Sequence, residues 1–210
     1  MTIAFSLPAI YPITDTALSG LTHAEQVRRL SAGGASVVQL RDKLLSGNNF
    51  YLEARAALEV ARDSETKLII NDRVDIALAI GADGVHLGQD DLDPHAARKL
   101  LGPDSIIGLS THSTAQAVRA AGDPVDYIAI GPIFLTSTKK DSSPVVGLAG
   151  IREVRRVIGE LPLVAIGGIT LENAQDVLNS RADSVALISA LLSDPTKITE
   201  RTALLLKWFK

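Results

Sequence analysis

Eight short runs rich in Val, Ile and Leu recur along the chain, and an amphipathic segment separates each run from the next. Runs of this kind are typical of parallel strands joined by crossover helices. The predicted strands span 9–13, 36–40, 67–70, 84–87, 106–109, 127–130, 163–166 and 184–188. Few folds remain open to such a chain, because every parallel connection must cross back over the sheet.

Eight such units with no linker between them predict an α/β fold, a single (β/α)8 TIM barrel that forms one domain over 1–210. The alternative is an open doubly wound sheet. No Gly-x-Gly-x-x-Gly follows the first run, which disfavours that alternative. Capping residues before helical patterns predict helix starts at Thr22, Asp93, Ser113 and Thr170.

Composition excludes several classes of function. The 210 residues carry 21 Lys and Arg against 24 Asp and Glu, so the basic surplus of a nucleic-acid or anionic-membrane binder is missing. With no cysteine, the chain has neither disulfides nor thiolate metal ligands. No apolar run is long enough for a membrane span. We expect a cytoplasmic protein that acts on small molecules, and a homo-oligomer is compatible with the sequence.

Function in a parallel barrel gathers where the strands end, and the residues after the second run are polar there. Gln39, Arg41 and Lys43 alternate, so in an extended chain they project to one side. Two cations and a carboxamide suit the oxygens of a polyphosphate, and Lys139, after the sixth run, adds a third cation. The alternative interpretation is an exposed charged loop.

Acidic residues follow the third and fourth runs. Asn71 and Asp72 end one run, and Asp90 and Asp91 follow its neighbour. Carboxylates at adjacent strand ends can share one Mg²⁺, which completes its shell with phosphate oxygens and water. The alternative is that these aspartates cap the helices that follow.

Further candidates are less specific. Gly167 and Gly168, with Ser189 after the last run, lie where many barrels bind a monophosphate, although a Gly pair also suits a tight turn. His86 is expected to be a hydrogen-bonded structural residue and His112 an ordinary loop residue. The long polar connection 131–147 is predicted to be a mobile flap that orders when ligands bind.

One motif at each of seven strand ends resembles the thiamine phosphate synthase family, in order and over most of the chain. The motifs are Tyr11-Pro-Ile-Thr-Asp15, Gln39-Leu-Arg-Asp-Lys43, Ile70-Asn-Asp-Arg73, Gly84-Val-His-Leu-Gly-Gln-Asp-Asp91, Gly108-Leu-Ser-Thr-His112, Gly131-Pro-Ile-Phe-Leu-Thr-Ser-Thr-Lys139 and Ala165-Ile-Gly-Gly-Ile169. One departure precedes the eighth run, where Asn179-Ser-Arg-Ala-Asp-Ser184 replaces a glycine-containing family sequence. We expect altered loop geometry there and unchanged chemistry.

The resemblance implies a transferase that joins an aminopyrimidine diphosphate to a thiazole monophosphate and releases pyrophosphate. It also implies roles for individual residues. The pyrimidine diphosphate is held by Gln39, Arg41, Lys43, Asn71 and Lys139, its Mg²⁺ is held by Asp72 and Asp91, Ser110 lies near the pyrimidine, and the thiazole phosphate is approached by Thr136, Thr138 and backbone at Gly168, Ile188 and Ser189. The residues expected to be catalytic are Arg41, Lys43, Ser110 and Lys139.

Two other functions stay open at this point. A thiazole tautomerase on a related barrel uses neither diphosphate nor Mg²⁺ and employs His112 as acid and base. A non-catalytic sensor of phosphorylated ligands is the second. The cations and the acidic pair argue against the tautomerase, which has no ligand to occupy them. The metal pair argues against the sensor, because binding alone rarely needs Mg²⁺ beside a leaving group.

Overall fold

The computed structural model describes residues 6–135 and 144–209. Its eight strands lie within one or two residues of the predicted runs, which confirms them. They are β1 Ile10–Pro12, β2 Val37–Leu40, β3 Lys67–Asn71, β4 Gly84–Leu87, β5 Ile106–Thr111, β6 Tyr127–Ile130, β7 Leu163–Ile166 and β8 Ser184–Leu187. All eight are buried at their centres, as expected for strands covered on both faces by side chains.

Helices follow the strands in turn. They are α1 Thr16–Ser19, α2 His23–Ala32, α3 Gly47–Asp63, α4 Val74–Ile80, α5 Pro94–Leu101, α6 Thr114–Ala120, α7 Gly147–Ile158, α8 Ala174–Asn179, α9 Ser189–Leu192 and α10 Ile198–Trp208, with a 3₁₀ turn at Pro195–Lys197. Within the described ranges, no helix is both long and apolar enough to cross a membrane.

All strand pairs are parallel, and the order is β1-β8-β7-β6-β5-β4-β3-β2. The two end strands meet through a parallel bridge between Ile13 and Gln39. The amide of Thr14 also donates to the carbonyl of Gln39 at 2.9 Å. The two ends of the sheet, β1 and β2, therefore pair with each other, which confirms the (β/α)8 barrel and excludes the doubly wound alternative.

Three of the four predicted helix starts are confirmed. The side chains of Thr22, Asp93 and Ser113 accept backbone hydrogen bonds at the first turns of α2, α5 and α6. The prediction for Thr170 was wrong, because α8 begins at Ala174. Asn173 Oδ1 accepts from the Thr170 amide at 2.8 Å and stabilises the loop that precedes α8.

The interior of the barrel is filled by a cluster of side chains separate from the layer between strands and helices. Tyr11 and Tyr127 are its largest members, and both are buried. Gly108, paired with Tyr127 in register, gives this ring its space. A Cβ at Gly108 would lie 2.1 Å from Tyr127 Cζ and 2.5 Å from His86 Nδ1. Only a glycine at 108 therefore leaves room for the rings of Tyr127 and His86 below the site.

The departure before β8 lies at the barrel's opposite end from the strand termini that carry function. Arg181 adopts a positive φ of 77°, and its carbonyl accepts from Arg155 Nε at 3.1 Å. Arg155 also pairs with Asp183. The altered loop is thus tied to α7, in agreement with a change in packing away from the site.

Ser184, the first residue of β8, buries a hydroxyl that has no hydrogen-bond partner among the described residues. Because an unsatisfied buried hydroxyl costs about 1–3 kcal/mol, Ser184→Ala should raise the free energy of unfolding by about 1 kcal/mol. Urea denaturation measures this. Ser180→Ala is the matched control, since the buried Ser180 Oγ accepts from Arg152 at 2.9 Å and its loss should lower stability. A less stable Ser184→Ala would contradict the prediction.

Candidate active site

Two adjoining pockets open at the carboxyl ends of the strands. One is mainly apolar and lies over the interior cluster, with Tyr11, Ile13, Val164 and Ile166 among its walls. The other is polar and lies over β2 to β5. Residues that line both pockets are Arg41, Asn71, His86, Ser110 and His112. The site is therefore one cleft with an apolar compartment and a charged compartment.

The structure brings the predicted site residues that it describes into this cleft. The apolar compartment holds Gln39, Arg41, Asn71, Ser110, Gly168, Ile188 and Ser189. The charged compartment adds Lys43, Asp72 and Asp91. Thr136, Thr138 and Lys139 lie outside the described residues, together with the rest of 136–143 in the predicted flap 131–147.

The alternation expected across Gln39, Arg41 and Lys43 does not extend that far, because β2 ends at Leu40. Gln39 points into the barrel interior and is almost fully buried, whereas Lys43 lies in the following loop with half of its side chain exposed. The three residues reach the same cleft at different depths. The prediction that the three side chains share one face of an extended strand was therefore wrong, although all three line the same cleft.

The loop that carries Arg41 and Lys43 is anchored from below. The Arg41 amide donates to Thr14 Oγ1 at 3.2 Å, and Thr14 Oγ1 is 2.7 Å from the buried His23 Nδ1. Asp42 accepts from the amides of Leu44 and Leu45, both at 2.8 Å, and from Thr16.

Burial acts to raise the pKa of Asp42, yet these hydrogen bonds together lower it. Asp42 therefore stabilises the loop as a charged carboxylate. The loop is therefore both anchored at Arg41 and Asp42 and exposed from Lys43 to Asn49.

Arg41 and Lys43 differ in what they contact. Lys43 Nζ forms an ion pair with Asp72. The Arg41 guanidinium makes no hydrogen bond or ion pair within residues 6–135 and 144–209. Arg41 lines both compartments, so its planar fork is available to an anion bound where they meet.

Neither of the two aspartates predicted to bind metal serves as a helix cap. Helix α4 begins after Arg73 without a side-chain cap, and α5 is capped by Asp93. Asp91 Oδ2 instead accepts from the Gly88 amide at 2.7 Å. Asp72 adopts a φ of 60°, a conformation uncommon for non-glycine residues and often found at functional sites. The capping alternative is therefore wrong for both residues.

Burial, and then the neighbouring Asp72 carboxyl, raises the pKa of Asp91. Two carboxylates that face each other in this way favour a cation between them. Within the described ranges no group of three or more His, Asp or Glu could hold a metal ion. Two carboxylates are nevertheless the usual protein share of a Mg²⁺ shell that phosphate oxygens complete, so this pair fits Mg²⁺.

Packing accounts for the glycine pair after β7. Gly167 and Gly168 have φ of 103° and 65°. A Cβ on Gly168 would lie 2.6 Å from the Leu135 carbonyl, and one on Gly167 would lie 2.7 Å from Pro132. Close approach of the 132–135 backbone thus explains both glycines, and the binding of a phosphate there stays a prediction.

The sequence analysis missed a buried polar chain below the cleft. Tyr11 and Tyr127 hydroxyls lie 2.6 Å apart, Tyr127 lies 2.9 Å from His86 Nδ1, and His86 Nε2 lies 2.8 Å from Ser110 Oγ. These contacts confirm His86 as a hydrogen-bonded structural residue. A signal was available, since Gly108 opposite Tyr127 marks the place where a large side chain crosses the barrel.

His112 lies at the rim of the cleft. Its Nδ1 is 2.7 Å from the carbonyl of Gly131, and its amide donates to Gln116 Oε1 at 2.6 Å. Among the hydrogen bonds that the structure describes for His112, none joins its ring to a carboxylate. A backbone carbonyl therefore fixes the position of this ring just after the end of β5.

The fold and the cleft together define a (β/α)8-barrel enzyme. The model of a family described as thiamine monophosphate synthase matches residues 10–191. The thiamine-phosphate synthase of Methanoculleus marisnigri is 47% identical over 186 residues, which cover 88% of each chain. That of Koribacter versatilis is 45% identical and covers 93% of this chain and 94% of its own.

A solved structure agrees with these relatives. The thiamine phosphate pyrophosphorylase of Pyrococcus furiosus superimposes with a TM-score of 0.84 at 34% identity, and 95% of each chain is covered. This chain belongs to the thiamine monophosphate synthase family and is a transferase. The family and its relatives assign it the thiamine-phosphate synthase activity.

Proposed function

We propose that the cleft joins an aminopyrimidine diphosphate to a thiazole monophosphate through a dissociative step assisted by Mg²⁺. The observation that carries this proposal is the division of one cleft into an apolar and a charged compartment that share Arg41, Asn71 and Ser110. A substrate with an apolar ring and a charged leaving group spans such a boundary. Its breaking bond then lies where the compartments meet.

The charged compartment receives the diphosphate. Arg41 offers a bidentate fork, Lys43 a point charge and Asn71 an amide. Asp72 and Asp91 would hold Mg²⁺, which neutralises charge on the departing diphosphate when it is bound. Without ligands, Lys43 and Asp72 neutralise each other in an ion pair. When Mg²⁺ and the diphosphate are bound, Asp72 would pair with the cation and Lys43 with the diphosphate. Lys139 is assigned to the same anion by family resemblance.

The reaction requires charge neutralisation and orientation from the protein. Electrons of the aminopyrimidine assist the breaking of the bond between the methylene carbon and the diphosphate oxygen, and the diphosphate leaves with that electron pair. The thiazole nitrogen then donates its lone pair to the same carbon. The ring nitrogen is already nucleophilic and carries no proton, so no general base is needed. The chain binds both partners and stabilises the departing anion.

The second substrate belongs on the side of β7 and β8. Backbone at Gly168, Ile188 and Ser189 lines the apolar compartment there and is proposed to approach the thiazole phosphate, together with Thr136 and Thr138. The apolar walls exclude water from the reactive carbon, which protects it from hydrolysis. A cytoplasmic location and one domain over 1–210 are part of this proposal, and a homo-oligomer is compatible with it.

A direct assay tests the proposal. The purified chain is incubated with both phosphorylated substrates and Mg²⁺, and thiamine phosphate and pyrophosphate are measured. Equal amounts of the two products are expected, with none after the metal is chelated. Binding of both substrates without turnover would favour the sensor. Isomerisation of a thiazole carboxylate phosphate in the absence of metal would favour the tautomerase. Either result would overturn the proposal.

A further inference from the structure

Thr14, just after β1, connects the first strand of the barrel to the loop 41–46 that carries Arg41. The Thr14 amide donates to the Gln39 carbonyl at 2.9 Å. In a regular parallel ladder the Thr14 carbonyl would then accept from the Arg41 amide. Here the Arg41 amide donates to the Thr14 hydroxyl instead, at 3.2 Å. A side chain therefore takes the place of backbone where β2 passes into the loop.

His23, the first residue of α2, lies behind this hydroxyl. Its Nδ1 is 2.7 Å from Thr14 Oγ1, and both side chains are fully buried. A hydroxyl can accept from the Arg41 amide and also bond to a ring nitrogen, either as donor or as acceptor. The contact between His23 and Thr14 therefore forms whichever ring nitrogen carries the proton.

The second nitrogen of the His23 ring faces the same loop. Nε2 lies 3.5 Å from Asp42 Oδ2, and it makes no hydrogen bond among the described residues. Asp42 also accepts from Thr16 Oγ1 at 3.0 Å. One buried ring thus contacts two residues that hold Arg41, Thr14 on one side and Asp42 on the other. Because a buried nitrogen without a hydrogen bond is costly, stability alone does not account for a histidine here.

The His23 ring is itself held by two helices. The His23 amide donates to Glu53 Oε2 of α3 at 3.2 Å. The ring also packs against Phe50 of the same helix, with ring centroids 5.9 Å apart. The position of the Arg41 backbone therefore depends on α2 and α3 as well as on the pairing of β1 with β2, which has a single bridge.

We propose that His23 is a positioning residue that sets the place of the Arg41 guanidinium in the cleft, so that its planar fork meets a bound diphosphate. The inference rests on the proposed function for the identity of that anion. Arg41 needs such support more than Lys43 does. A planar fork must match the oxygens of the anion in direction, whereas an ammonium on a flexible stem needs only to be near them.

Binding of pyrophosphate in the presence of Mg²⁺ tests the proposal without turnover. His23→Phe keeps a buried ring and removes both polar contacts. We expect the Kd for pyrophosphate, measured by calorimetry on the full-length chain, to rise about 10-fold or more in this variant. An unchanged Kd in a folded His23→Phe would overturn the proposal. Absence of binding by the wild type would overturn it together with the diphosphate site.

Val27→Ala is the matched control for a merely structural role. Val27 is fully buried in the same helix as His23 and lines neither compartment of the cleft. Its truncation should lower the unfolding midpoint and change the Kd for pyrophosphate by less than about 2-fold. If Val27→Ala weakened pyrophosphate as much as His23→Phe does, loss of stability would explain both effects and the proposal would fall.

A double-mutant cycle shows whether His23 acts through Arg41. In an Arg41→Ala chain the guanidinium is missing, so His23→Phe should raise the Kd for pyrophosphate by less than about 2-fold further. Losses that multiply would show another route and overturn the proposal. Thr14→Val keeps the branched shape and removes the hydroxyl, so it breaks the same link if His23→Phe does not fold. Normal affinity in Thr14→Val would equally overturn the proposal.

Hydrogen exchange reads the link without any ligand. The Arg41 amide is bonded to Thr14 Oγ1, so its exchange rate reports whether that hydroxyl is held in place. We expect this rate to rise about 10-fold or more in His23→Phe. The Ile13 amide, which donates to the Leu187 carbonyl at 3.0 Å, should keep its rate. An unchanged rate at Arg41 would overturn the inference.

The exchange and pyrophosphate measurements do not depend on turnover. They therefore decide the inference about His23 even if the assay for thiamine phosphate fails and the proposed function falls. Conversely, normal formation of thiamine phosphate together with an unchanged Kd in His23→Phe would leave the proposed function intact and remove His23 from it.

Discussion

Asp72→Asn and Asp91→Asn should each lower the rate of thiamine phosphate formation by about 100-fold or more and raise the Mg²⁺ concentration needed for half-maximal activity. Each substitution removes one of the two carboxylates proposed to hold the cation, together with the charge that attracts it. Asn is a suitable replacement at 72, because it tolerates the positive φ of that residue. Steady-state rates over a Mg²⁺ titration measure both effects.

His112→Ala supplies the comparison for the aspartate variants. His112 lines the same cleft, and its loss should cost less than about 10-fold if no proton transfer limits the reaction. A positioned acid or base would contribute about 10² to 10⁴. A severe loss in His112→Ala combined with nearly normal aspartate variants would contradict the synthase mechanism and favour the tautomerase.

Arg41→Lys is expected to be severe although it keeps the charge. The guanidinium has no partner within the described residues and lies where the compartments meet, so its planar fork is available for two parallel bonds to the diphosphate. Loss of one charge-assisted hydrogen bond, about 1.5–3 kcal/mol, should lower kcat/KM for the pyrimidine diphosphate by about 10- to 100-fold. KM for the thiazole phosphate should change little.

Arg62→Lys is the matched control for Arg41→Lys. Arg62 lies at the end of α3, and its guanidinium contacts the Gly81 carbonyl at 3.4 Å, away from the cleft. Its replacement should leave both KM values unchanged. If Arg41→Lys turned over subsaturating pyrimidine diphosphate at the normal rate, Arg41 would have no place in the diphosphate site.

The sequence predicted most of the fold because each strand of this barrel is a short continuous apolar run, the simplest pattern to recognise. The predicted helix start at Thr170 failed for a local reason. Thr170 and Asn173 are both good capping residues, and only the backbone path decides which of them begins the helix. Propensity alone ranks the two residues almost equally.

The site was predictable as a set of residues and not as a geometry. The order of the strand ends placed the predicted side chains in one cleft, but the ion pair of Lys43 with Asp72 joins loops 29 positions apart. The buried polar chain from Gln39 to Ser110 depends on five strands meeting inside the barrel. Such contacts form only when the barrel closes, and no local sequence pattern predicts them.

The junction between β1 and β2 should open more easily than the other strand pairs of the barrel. Seven strand pairs share continuous ladders, whereas this pair has a single bridge at Ile13 and Gln39. The Arg41 amide bond to Thr14 crosses the same junction. An anion bound by Arg41, as proposed, would therefore also stabilise this junction, because the loop that carries Arg41 is hydrogen-bonded across it.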